Sequence, residues 1–166
     1  MEEILNSEQY KAILPYAPYI AIAGLLRIIF IIYLCTITRS TLLMIKKENR
    51  CILPGQVWLL LIPFFNIYWN FIVARRMTDS LTNECYDRSL AVEEDPAQKM
   101  GYFFAGSFLV YNFPIPMFVG FVIWIISFIA LVLYCVKINE YKKLFSHSFS
   151  ASKTNEMHEE TLNKDQ

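Results

Sequence analysis

The chain has 166 residues, of which 55% are hydrophobic, 16% aromatic and 18% charged, with fifteen basic and fifteen acidic side chains and a mean hydropathy of +0.36. Residues 12–38, 51–74 and 100–136 hold 88 residues, or 53% of the chain, yet carry only one of its thirty charges. This segregation predicts a membrane protein and argues against a soluble enzyme. The zero net charge, with no polybasic field, argues against nucleic acid as a partner.

The N-terminus carries Glu2, Glu3 and Glu8 where a secretory signal needs basic residues, so no cleaved signal peptide is expected. The first apolar stretch suits one span over about 18–38, after Pro15 and Pro18. A basic connector from Arg39 to Arg50 follows, and its Leu42-Leu43-Met44-Ile45 patch either prolongs the helix or lies along the interface. The second stretch has no charge in 24 residues, starts near Pro54-Gly55 and ends at Arg75-Arg76, whose stems can snorkel to the headgroups. It is predicted as a span over 54–76. Met77, Leu81 and Cys85, four apart, continue the helix out of the membrane, where Asp79, Glu84, Asp87 and Arg88 read as a solvated face.

The third stretch, as one helix of 37 residues, would reach about 55 Å, nearly twice a hydrocarbon core of about 30 Å. It must turn, and Asn112, Pro114 and Pro116 mark the place. Asp95 as N-cap and Pro96 at the first helical position open a span over 96–113, and a second over 116–137 completes a C-terminal helical hairpin. The expected fold is an all-α polytopic bundle of four spans in one domain, 1–145. A polar tail, 146–166, rich in Ser, Asn, Glu and Lys, is expected to be disordered.

Pro63 leaves two topologies. As a kink in a continuous helix, favoured because 24 uncharged residues suit one helix, it puts both termini in the cytoplasm with eight basic residues against four outside. As the tip of a re-entrant hairpin, it moves the N-terminus outside, and the bias becomes eleven against one.

Arg27, the one charge in the apolar stretches, lies about ten residues from each end of its span. Such a residue must face protein or water, at an insertion cost of roughly 2.5–3.5 kcal/mol. Asn66 and Asn70, one turn apart, are its expected partners. The three form either an internal hydrogen-bonded brace or a mid-membrane polar path favouring anions. Gly101 with Ala105, and Gly120 with Trp124, have the spacing of close helix packing. Tyr16, Tyr19, Trp58, Tyr102 and Tyr134 suit interfacial belts. Cys35 and Cys135 read as apolar filler, and no Cys-x-x-Cys pair exists for zinc. His147 and His158 both lie in the polar tail and no carboxylate lies within an apolar stretch, so no catalytic, metal or cofactor site is expected.

The segment from Trp58 through Pro63, Asn66 and Trp69 to Arg75, with Ser80, Leu81 and Glu84 beyond, resembles uncharacterised small four-span bacterial membrane proteins. In those, Trp, Pro and Asn mark a helix running into a polar extension. The resemblance covers about thirty residues and implies an inner-membrane, four-helix organisation without naming a catalytic residue. The expected function is non-enzymatic: a scaffold, accessory subunit or regulator in the lipid bilayer, acting on a membrane-protein partner or on itself as a homo-oligomer. The alternative is a small oligomeric pore or carrier.

Overall fold

The computed structural model describes residues 14–90, 97–114 and 116–164, with side chains placed as far as Ser148 except at Met117. Every regular element among them is helical. They are α1 (Ala17–Met44), α2 (Phe65–Asp87), α3 (Gln98–Tyr111) and α4 (Met117–Lys164), with 3-10 segments at Leu14–Tyr16, Lys47–Asn49 and Gln56–Leu61. Two helices are long and apolar enough to cross a membrane, within Leu14–Met44 and Phe118–Ser148, at hydropathies of 2.5 and 2.7. Only 22% and 28% of these windows are buried, unlike the enclosed core helix of a water-soluble protein.

These two helices pack in parallel. Arg27 meets Ser127, Phe30 meets Phe128 edge to face at 5.0 Å, and further along the carbonyls of Met44 and Phe145 both accept from the Arg88 guanidinium. An up-and-down bundle of four spans would set its first and last helices antiparallel. The predicted arrangement therefore differs at this point, and the cause lies in the second stretch.

Residues 54–76 do not form one helix. The 3-10 segment Gln56–Leu61 runs in, the chain reverses at Ile62-Pro63-Phe64, and α2 runs back beside it. Trp69 Nε1 donates to the Gln56 carbonyl at 2.9 Å, and the Cys51 N–H donates to Ser80 Oγ at 2.8 Å. Pro63 is thus the tip of a hairpin and not a kink. The residue after it, Phe64, takes φ 61°, a left-handed value that reverses the chain at a steric cost of about 1–2 kcal/mol. The tip also closes its own hydrogen bonds. Pro63 has no N–H to lose, and the N–H groups of Phe65, Asn66 and Ile67 donate to the carbonyls of Pro63, Ile62 and Phe64. Irregular backbone among apolar surfaces requires such closure.

Helix α3 has 14 residues and is about 21 Å long, short of the roughly 30 Å expected of the span 96–113. Asn112 is its C-cap, its side-chain amide donating to the Phe108 carbonyl at 2.7 Å, and residues 112–116 connect it to α4 with Pro114 and Pro116 in the turn. Asp95 and Pro96 lie outside the described residues. Helix α4 runs beyond 137 through the segment expected as a disordered tail. Ala, Glu, Met, Leu and Lys in that segment are strong helix formers, and extending an existing helix avoids the cost of nucleation.

The core is a ring in which α1 touches α4, α4 touches α3, α3 touches α2, and the 3-10 segment closes the gap between α2 and α1. A Cβ on Gly101 would stand 2.8 Å from Ala74 Cβ and 3.0 Å from the Tyr134 ring, so α3 seats on both neighbours only because that Cβ is missing. Tyr134 is buried against Gly101 and Phe104, not in the interfacial belt expected for it. The ring covers only part of the long helices. The first buried residue of α1 is Arg27, and among the described side chains of α4 it is Ser127. Residues 14–26 and 118–126 pack against little or nothing.

Candidate functional site

Arg27 stands about 15 Å along α1 from Ala17 and about 18 Å from the exposed Arg39, out of snorkelling reach of either end. Three helices converge on it. Its guanidinium carbon lies 4.9 Å from the centre of the Phe108 ring and 5.0 Å from that of Tyr111, and Nη2 donates to Ser127 Oγ at 2.8 Å. Tyr111 is the last residue of α3, so the cation also faces the negative end of that helix. A desolvated cation over an aromatic face gains about 2 kcal/mol. The side chain is 7% exposed, and its Nε and Nη1 have no hydrogen-bond partner among the described residues.

Asn66 and Asn70 are not part of this arrangement. They sit on α2, half-buried and buried, and no hydrogen bond joins either to Arg27 among the described residues. The reversal at Pro63 is the reason, because it sets α2 against α3 and leaves α4 beside Arg27. The missed partner had a signal in the sequence: Ser127 is the one serine between residues 117 and 136. Two clefts among the described residues lie elsewhere. One, of about 330 Å³, runs between α1 and α4 past Phe30, Tyr33, Val136 and Lys143. The other, of about 430 Å³, is lined by Cys51, Ile72, Arg75, Arg76 and Asp79.

A second polar centre ties the opposite ends of the helices together. Glu84, predicted on a solvated face, is fully buried. It follows Met77 by seven residues and Leu81 by three, which puts it on the same buried stripe. Its carboxylate accepts from Arg88 Nε at 2.7 Å, Asn49 Nδ2 at 2.8 Å and the Lys46 N–H at 3.0 Å. Arg88 also donates to the Met44 carbonyl at 3.0 Å and to Ser148 Oγ at 2.7 Å, so it joins α1, α2 and α4. Burial pushes the Glu84 carboxyl up, but the hydrogen bonds from Asn49, Lys46 and Arg88 outweigh it and hold the group below its ordinary value. Asp87 and Lys46 pair at 2.6 Å on the exposed side, their hydrogen bond lowering the acid and raising the base. Burial pushes the Cys85 thiol up to about 11.

Arg27 thus joins α1 to α4 by a hydrogen bond and to the end of α3 by two ring contacts. No family model, curated protein or solved structure matches this chain.

Proposed function

We propose that the chain is an integral membrane protein that acts without catalysis, as a scaffold, accessory subunit or regulator, by packing its outer helix surfaces against a membrane-protein partner. The carrying observation is the bare outer part of α1 and α4. Tyr19, Ile22, Leu25, Phe118, Phe121 and Val122 are all large, apolar and exposed there. Gly24 and Gly120 have open space before them, which lets another helix backbone approach closely.

Charge supports an orientation. With a re-entrant second stretch, Arg39, Lys46, Lys47, Arg50, Arg75, Arg76, Arg88, Lys99, Lys137, Lys142 and Lys143 share one side, and Lys11 precedes α1. That bias favours a cytoplasmic C-terminus and an N-terminus on the outer face of a bacterial inner membrane. In this frame α1 and α4 are full spans, while the hairpin and α3 thicken the cytoplasmic half.

The test is a photo-crosslinking residue at Leu25 or Val122, activated in native membranes. Adducts to a protein of discrete mass, this chain or another, support the proposal. Adducts to lipid alone overturn it.

The Nε and Nη1 of Arg27, without a hydrogen-bond partner among the described residues, favour a second reading, an oligomeric pore or carrier passing anions. Anion flux in reconstituted vesicles, lost with Arg27→Leu, supports it; tight vesicles at high protein content remove it.

A further inference from the structure

Where α2 leaves the apolar stretch, Ile72, Arg75, Arg76 and Asp79 fall at intervals of three and four on one helix face, and with Cys51 they line the cleft of about 430 Å³. Arg75 and Arg76 are the first charges after 24 uncharged residues. Neither guanidinium has an ion-pair or hydrogen-bond partner among the described residues, whereas Arg50 and Arg88 both donate to backbone carbonyls. The opposite wall is held in place. Ser80 donates to the Arg76 carbonyl at 2.7 Å and accepts the Cys51 N–H at 2.8 Å, which pins the connector to α2 beside the cleft.

We infer that this cleft binds the phosphodiester headgroup of an anionic phospholipid from the same leaflet. The inference rests on the membrane placement proposed above. Arginine forks match phosphate oxygens in pairs, and basic pockets on the cytoplasmic side select anionic headgroups. Two guanidiniums and the Asp79 carboxylate leave one net positive charge, which a singly charged phosphodiester such as phosphatidylglycerol neutralises. A doubly charged phosphomonoester would leave Asp79 opposed. Ile72, one turn towards the apolar stretch, offers the surface along which the first acyl carbons run.

Cys51 gives a local readout, because it lines the cleft and is exposed while Cys35, Cys85 and Cys135 are buried. The protein is reconstituted into vesicles of phosphatidylcholine alone, or with one-third phosphatidylglycerol, and labelled with an uncharged maleimide. Alkaline carbonate is applied first: release of the protein sinks the membrane placement, whereas the lipid comparison uses only protein that stays. Phosphatidylglycerol is expected to slow Cys51 labelling several-fold, and Arg75→Gln with Arg76→Gln to abolish that difference. Equal rates for the native chain in both vesicles overturn the inference, as does slowing that persists in the double variant. Protection by millimolar inorganic phosphate in phosphatidylcholine vesicles would show a free-anion site and overturn the lipid assignment. Labelling of the buried cysteines would show that the double variant has unfolded, and then the native comparison alone decides.

Discussion

Trp69 and Gln56 are joined by a hydrogen bond of 2.9 Å from the indole N–H to the backbone carbonyl. In a continuous helix, residues thirteen apart stand about 20 Å from each other. This one contact distinguishes a hairpin at Pro63 from a continuous helix.

A thiol crosslink reads the hairpin directly. Asn83 Nδ2 lies 3.6 Å from Cys51 Sγ. In the variant Asn83→Cys, a short bifunctional thiol reagent should join the two positions within one chain and give a faster-migrating band. A single helix through 54–76 would leave the two thiols far apart and give no such band.

Ser127→Ala should destabilise the folded protein by about 0.6–1.7 kcal/mol, the range of inter-helix hydrogen bonds in membranes, because it removes the hydrogen bond that Arg27 donates to Ser127 Oγ. In an Arg27→Leu background the same change should be neutral. Denaturant titrations of the four proteins form the cycle, and an unchanged cost in that background would contradict the pairing.

Gly101→Ala should cost about 1–3 kcal/mol, since its Cβ meets a Cβ of α2 and a buried ring of α4 and neither can retreat. Gly106→Ala should be neutral or slightly stabilising, with open space in front of it and a better helix former in place. Melting temperatures in detergent separate the two.

Glu84 makes stability depend on acid. Its folded pKa is depressed, so its contribution is full above the ordinary carboxyl value of about 4.5 and is lost as pH falls through the lower folded value. Melting temperature should fall in that window for the native chain, and less steeply for Glu84→Gln. Glu84→Ala, which strands the part-buried Arg88, should cost about 3–5 kcal/mol at neutral pH.

Helicity, the turn at Asn112–Pro116 and the buried cation were legible because each rests on local composition: apolar run length, paired prolines, one charge where none is tolerated. The reversal at Pro63 was not, since proline with a following aromatic residue permits a kink and a turn equally, and only Phe64 at φ 61° and the Gln56–Trp69 contact decide between them. Arg27 is buried, and among the described residues it bonds to Ser127 and not to Asn66 or Asn70. The asparagines are the more conspicuous polar side chains, but the choice between them and Ser127 depends on which helix lies alongside, a long-range fact that spacing does not carry. Glu84 differs for another reason: its charge suggests a solvated face, but its position on the Met77–Leu81 stripe buries it.

Arg27 and Ser127 are separated by 100 residues of chain. At a synthesis rate of about 5–20 residues per second, α1 leaves the ribosome about 5–20 s before its hydroxyl partner exists. For most of that interval the guanidinium lacks the two rings of α3 as well, which follow it by 81 and 84 residues. A chain broken before α4 would leave that charge without its hydroxyl partner, so the last helix to be made is the one that completes the first.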